Sequence, residues 1–223
     1  VIHIVGSHLF FLFTIFLPIA VIVQVLIFAH TASAATETVH VSRSKTTHSE
    51  SSKATHKEAA KPALTPLTDA QVRAAVSELQ QRNLLIPIDG ITADRMKGSF
   101  YEMRGASRHE AADILAARNT PVRAVEDGTI AKLFLSKFGG NTIYQIDPTN
   151  QYVYYYAHLE TYEPSIKEGD KVKRGQVIGF VGTSGNAPPD TPHLHLSISI
   201  LTPEKKWWQA HSIDPYEVFQ HKK

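Results

Sequence analysis

From Asp113 to Pro192 the chain is cut at regular intervals by turn-forming residues. Asp127-Gly128, Gly139-Gly140, Asp147-Pro148-Thr149-Asn150, Gly169-Asp170, Arg174-Gly175 and the long loop Gly182 to Pro192 separate the runs Pro121 to Val125, Thr129 to Leu135, Asn141 to Ile146, Gln151 to Leu159 and Gln176 to Val181. A packed helix needs ten or more residues of 3.6-residue periodicity, and none fits between these turns. The runs can therefore only be short strands, and the spacing predicts an all-β domain, a compact antiparallel sandwich or barrel. A chain of 223 residues holds one such domain plus extensions, and not comfortably two.

The extensions lie upstream. Residues 1–35 carry no Lys, Arg, Asp or Glu, and Val1 to Ala29 is almost continuously apolar before Ala32-Ser33-Ala34. An apolar run closed by an Ala-x-Ala pattern reads as an export signal, with cleavage after Ala34. The run is also long enough to span a bilayer, so residues 1–30 can equally serve as an uncleaved membrane tether. Either way the expected location is the periplasm or cell envelope. Residues 36–66 are rich in Ser, Thr, Ala, Lys and His and poor in large apolar side chains, which predicts a flexible tether with His40, His48 and His56 solvated. Residues 67–99 then supply a helix and an extended arm. Thr68 and Gln71 form a capping-box pattern, Val72, Ala75, Val76 and Leu79 recur at helical spacing to about Arg82, and Leu84 to Gly90 reads as an extended piece ending in an Asp-Gly turn. The all-β domain occupies 100–220.

Charge and cysteine content exclude several functions. With 23 basic against 21 acidic residues the net charge is +2, too small a field to make nucleic acid the partner. Cysteine is absent, which removes disulfides, thiolate metal sites and a cysteine nucleophile together. A metal here must be held by nitrogen and oxygen.

Histidines are placed where strand geometry brings them to one surface. In His193-Leu194-His195-Leu196-Ser197-Ile198-Ser199-Ile200 the period of two puts Leu194, Leu196, Ile198 and Ile200 on one face and both histidines on the other. Taken alone, His-x-His is also the polar face of a half-exposed strand. His109 and Asp113, four apart, share a side whether the backbone is extended or makes a helical turn. His158 stands in phase with Tyr152, Tyr154 and Tyr156, which predicts that its ring faces the same side as those tyrosines. Three ligands drawn from His and Asp with a fourth position left open is the pattern of catalytic zinc. His109-Glu110 begins like the His-Glu-x-x-His of helical zinc proteases, but Asp113 stands in place of the second His and no helical apolar stripe supports it. Glu110 is accordingly not expected to be a ligand.

Residues 100 to 219 resemble the lysostaphin-type, LytM-like peptidoglycan endopeptidases. The motifs that carry the resemblance are His109-x-x-x-Asp113-Ile114, Thr120-Pro121-Val122-x-Ala124-x-x-Asp127-Gly128, Tyr156-Ala157-His158-Leu159, Gly169-Asp170-x-Val172-x-x-Gly175-Gln176-x-Ile178-Gly179, Gly182-Thr183-Ser184-Gly185 and Pro192-His193-Leu194-His195. The resemblance implies a β-sandwich built from a duplicated motif, Zn2+ as cofactor held by His109, Asp113 and His195, and His158 and His193 flanking the reacting water. It implies peptidoglycan as partner and substrate, and hydrolysis of its peptide cross-links. Since no Glu sits in a recognisable base position, proton handling falls to His158 and His193, and which takes the first proton stays open. The chain departs from the family at Ala111, where members commonly have Gly, and in the longer, stiffer loop Asn186 to Thr191.

Two other readings compete. A family member without catalysis would bind and regulate other wall hydrolases, and would be expected to lack one of the five site residues. A biotinyl or lipoyl carrier would use the Gly169 to Gly182 rhythm with Lys173 at a hairpin tip, and needs no histidine set. Trp207-Trp208, beside Lys205-Lys206, reads as packing for a terminal segment more readily than as a glycan platform. His211 and His221 have no partner at ligand spacing and are expected to be exposed.

Overall fold

The computed structural model describes residues 64–220, so the export segment, the tether as far as residue 63, its histidines and His221 lie outside the described residues. Among the described residues no helix is long and apolar enough to cross a membrane.

Helix α1 (Asp69–Gln81) begins as the capping box requires: the Thr68 hydroxyl accepts from the Gln71 N–H, and the Gln71 side chain accepts from the Thr68 N–H. The chain then runs extended to the Asp89-Gly90 turn and passes two single-turn 3-10 segments (Ala93–Met96 and Ser99–Tyr101), too short for any periodicity to reveal. A small hairpin, β1 (Met103–Arg104) and β2 (Ser107–Arg108), precedes β3 (Ala112–Leu115), β4 (Pro121–Arg123), β5 (Gly128–Ser136), β6 (Gly140–Ile146), β7 (Tyr152–Tyr162), β8 (Lys171–Val172), β9 (Val177–Val181), β10 (His193–Leu201) and β11 (Ala210–Ile213). Apart from the hairpin these strands form one antiparallel sheet ordered β11-β10-β7-β6-β5-β8, with β3 on β10 and with β9 on both β4 and β7. The all-β expectation holds, with one addition. Asp214 caps a short helix α2 (Pro215–Phe219) that places Val218 and Phe219 in the core, and Asp-Pro at a helix start was the legible signal.

The apolar core is continuous from the arm into the sheet. Val76, Leu79, Leu84, Ile88 and Met96 belong to the same buried cluster as Ile114, Ile143, Tyr154, Tyr156, Leu194, Leu196 and Phe219. Strand β10 is its axis: one edge pairs with β7, and the other takes β3 at its first half and β11 at its second. Its two faces are not core and solvent as alternation alone suggests, because Ser197 and Ser199 are buried as well as Leu194, Leu196 and Ile198.

Strand β7 departs from simple alternation where it matters. Asn141 pairs with Leu159 but Ile143 with Tyr156, so β7 carries one extra residue there, and His158 takes a left-handed φ of 58°. The bulge reverses the phase. Tyr154 and Tyr156 are fully buried in the core, whereas the His158 ring lies 5.6 Å from the His195 ring and 4.8 Å from that of His193, on the other side. The expectation that His158 shares a side with the three tyrosines is thus corrected by an unpaired residue that alternation cannot foresee.

Candidate metal centre

Register places two of the clustered side chains opposite each other. His195 on β10 is the Cα partner of Asp113 on β3, and His193 that of Leu115. His109 lies just before β3, outside any helix, with its N–H bonded to the Glu102 carbonyl at 2.8 Å; the next residue, Glu110, turns the chain through a left-handed φ of 56°. Ala111 is fully buried behind it and needs no left-handed backbone. Glu110 offers its carbonyl to Ser197 and takes no part in the cluster, as expected.

Three donor atoms converge. His109 Nε2 lies 3.0 Å from His195 Nδ1 and 3.0 Å from Asp113 Oδ1, and His195 Nδ1 lies 3.1 Å from that same oxygen. A tetrahedral zinc site with ligands at about 2.0–2.1 Å spaces its donors about 3.3 Å apart, so the triangle is close to the required size. Proton placement supports the same conclusion. His109 Nδ1 is 3.0 Å from the Ser99 carbonyl, which can only accept, so in the neutral ring the proton sits on Nδ1 and Nε2 presents a lone pair. That lone pair faces a carboxylate oxygen and a second ring nitrogen. The one cation at hand, Arg104, covers Asp113 Oδ2 and leaves Oδ1 facing the two ring nitrogens, where a divalent cation with nitrogen and oxygen ligands fits.

Two further imidazoles flank the triangle. His158 directs Nδ1–H to the Ser184 carbonyl at 2.9 Å, and His193 directs Nδ1–H to the Thr191 carbonyl at 2.8 Å. Each therefore leaves Nε2 as its free acceptor. His193 Nε2 is buried, has no hydrogen-bond partner and lies 3.8 Å from Asp113 Oδ1. Burial, reinforced by the neighbouring rings of His195 and His193, lowers the His158 pKa to about 4, so its Nε2 keeps its lone pair at neutral pH. Burial likewise lowers that of His195. Burial alone would raise Asp113, but hydrogen bonds from His109, His195 and Arg104 outweigh it and hold the carboxyl well below the usual range.

The structure thus brings together His109, Asp113, His195, His158 and His193. It also supplies partners that sequence reasoning missed: Ser99, whose carbonyl and hydroxyl face His109 Nδ1, and Arg104 of β1, 2.5 Å from Asp113 Oδ2. Carbonyls leave no mark in a sequence, and Arg104 reaches Asp113 only through the β1–β2 hairpin. The long loop after Gly182 is pinned by Arg118, which donates to Thr183 at 2.7 Å and to the Pro189 carbonyl at 3.4 Å and is ion-paired with Glu160. His211 lies half-buried in β11, less exposed than expected.

A family model described as Peptidase family M23 matches residues 107–215. L-Ala--D-Glu endopeptidase of Bacillus subtilis is 38% identical over 117 residues, which are 50% of this chain and 34% of that protein. Peptidoglycan DD-endopeptidase ShyC of Vibrio cholerae is 38% identical over 87 residues, 39% of this chain and 19% of that one. The chain therefore spans about a third or less of the length of either relative. Among solved structures, lysostaphin from Staphylococcus simulans aligns with a TM-score of 0.47 at 29% identity, covering 57% of this chain and 50% of that one.

Proposed function

Because residues 107–215 are a domain of peptidase family M23, we propose that this chain is a zinc-dependent endopeptidase that hydrolyses peptide cross-links of peptidoglycan. The observation that carries the reading is the triangle of His109 Nε2, Asp113 Oδ1 and His195 Nδ1, flanked by two imidazoles that each turn Nδ1 toward a carbonyl. Two relatives are named as peptidoglycan or L-Ala--D-Glu endopeptidases, which points to the same substrate class.

Zinc held by His109, Asp113 and His195 would supply a Lewis acid that polarises the scissile carbonyl and brings a water to a pKa of about 7. The remaining work belongs to the chain. The Ser99 carbonyl fixes the tautomer of His109, and Arg104 engages Asp113 Oδ2 so that Oδ1 faces the cluster. His158 and His193, oriented by the Ser184 and Thr191 carbonyls, offer Nε2 lone pairs to take a proton from the attacking water and return one to the departing amine. Two such groups suit two proton transfers in one hydrolysis. Export, as the first 35 residues suggest, would put the domain where the polymer lies.

Neither rival has comparable support. A regulator without catalysis has no need of the five side chains this chain retains. The carrier reading needs Lys173 on a hairpin tip, yet β8 pairs with β5 and β9 with β4 and β7, and Lys173 is ion-paired with Asp127 at 2.8 Å. The test is metal analysis of the purified chain together with mass spectrometry of fragments released from purified wall. One equivalent of zinc and new amino termini within the peptide cross-links are expected; intact wall in the presence of the zinc-loaded protein would reject the reading.

A further inference from the structure

A row of aromatic rings leads away from the metal centre along one face of the sheet. Tyr155 lies 5.9 Å from the His195 ring, Tyr144 lies 4.6 Å from Tyr155, Trp207 lies 4.4 Å from Tyr144, and Trp207 in turn touches Trp208 at 5.0 Å and Phe134 at 6.1 Å. Register explains why they share a side: Ser197 of β10 is opposite Tyr155 of β7, Tyr155 is opposite Tyr144 of β6, and Tyr144 is opposite Lys132 of β5, two residues from Phe134. The expectation of simple packing is met only by Trp207, which is half-buried; Trp208 remains 50% exposed and Phe134 41% exposed. Lys206 sits 5.8 Å from the Trp208 ring.

We propose that this row is the seat of the saccharide strand of the polymer, and the proposal rests on the endopeptidase reading above. Trp208 and Phe134 at the outer end are exposed, while Trp207, Tyr144 and Tyr155 are partly buried and join them to the metal centre; exposed apolar groups that lie together mark an interaction site more often than scattered ones. The row is continuous with the metal centre, and in cross-linked peptidoglycan a glycan strand is attached on either side of every peptide bridge. A pyranose has an apolar C–H face bordered by hydroxyls and amides. The exposed indole face of Trp208 and phenyl face of Phe134 fit the former, and Lys206 beside Trp208 donates hydrogen bonds to the latter. A lipid surface would meet only the outer end of the row, whereas a polymer lying across His195 uses its whole length.

Both tryptophans of the chain, Trp207 and Trp208, are in the row, so intrinsic tryptophan emission reports on this surface alone. Peptide-free oligosaccharides of N-acetylated hexosamines are titrated against the full chain, and against Trp208→Ala and Phe134→Ala once their melting curves match the parent. A saturable emission change is expected, weakened about tenfold in either variant. In parallel, rates are compared on a short soluble cross-link peptide and on glycan-bearing wall. The variants should cut the peptide as the parent does and the wall several-fold more slowly. Saccharide binding without hydrolysis of either substrate supports the seat and removes the endopeptidase reading. The proposal is overturned by no saccharide response in the parent, by equal loss on both substrates, or by emission that responds only to anionic phospholipid vesicles.

Discussion

His193 and His195 stand two residues apart on one strand, yet they use their rings in opposite ways. His195 turns Nδ1 to Asp113 Oδ1 at 3.1 Å and His109 Nε2 at 3.0 Å, whereas His193 spends Nδ1 on the Thr191 carbonyl at 2.8 Å and keeps Nε2 without a partner. Alternation alone could place both rings on one surface but could not divide their tasks. The division comes from Pro192 and the loop before it, which set the Thr191 carbonyl beside His193. His195→Ala should therefore lose both zinc and activity, since two remaining ligands retain a metal poorly. His193→Ala should keep about one equivalent of zinc while turnover falls about 100-fold or more, the scale of a missing acid or base. Metal content by mass spectrometry and rate on the same preparations decide the matter. A metal-free His193→Ala beside a zinc-retaining His195→Ala would exchange the two roles.

Between strands, the position of His158 depends on a neighbour far away in sequence. Its N–H donates to the Gly139 carbonyl at 2.7 Å and its Nδ1 to that of Ser184, while the Ser184 hydroxyl accepts from Asn141 N–H at 2.9 Å. The start of β6 and the loop at Ser184 are thus docked on each other with the bulge between them. Gly140 makes the docking possible. It has φ of 63°, and a Cβ there would stand 2.2 Å from the Ser184 hydroxyl and 2.4 Å from the Gly185 nitrogen. Gly140→Ala should push this loop away and let His158 turn, so hydrolysis should drop more than tenfold while zinc content stays near one equivalent. Unchanged hydrolysis would mean that the Ser184 carbonyl does not orient His158. The same elements show what a sequence can and cannot disclose. The turn pairs made nearly every long strand legible, because Gly and Asp-Gly interrupt strands for local reasons. The bulge, the 3-10 turns and the β1–β2 hairpin were hidden, because each is decided by tertiary contacts. Five site residues could be named from motifs that resemble a family, but the atoms that orient them are backbone carbonyls and one distant arginine.

At the scale of the whole molecule, Arg82 at the end of α1 ties the arm to the sheet. It donates to Glu126 at 3.1 Å, to Asp147 at 3.0 Å and to Glu78 at 2.6 Å, and its guanidinium lies 4.8 Å from the Tyr152 ring. The Asp147 side chain is fully buried, so removing Arg82 would leave its charge without a cation, held only by hydrogen bonds from Thr149, Gln151 and Tyr152. Arg82→Ala should cost about 3–5 kcal/mol, measured by urea unfolding. The contribution of Asp147 depends on pH in a definite direction. Burial would raise its pKa, but hydrogen bonds from Thr149, Tyr152, Arg82 and Gln151 outweigh it and leave the folded value below the ordinary one. Stability from Asp147 is therefore present above the unfolded pKa of about 3.9 and is lost as pH falls through the lower folded value. The difference between the parent and Asp147→Asn should be full at neutral pH and close below about pH 4. These ties also set where the chain can be shortened. Val76, Leu79, Leu84 and Met96 share the core with β3 and β10, so a chain starting near Thr65 should fold and keep hydrolysis, whereas one starting at Phe100 should lose cooperative unfolding altogether. Circular dichroism melting of the two truncations checks this. A cooperative, active protein lacking residues 67–99 would show that the arm is an ornament on an independent domain.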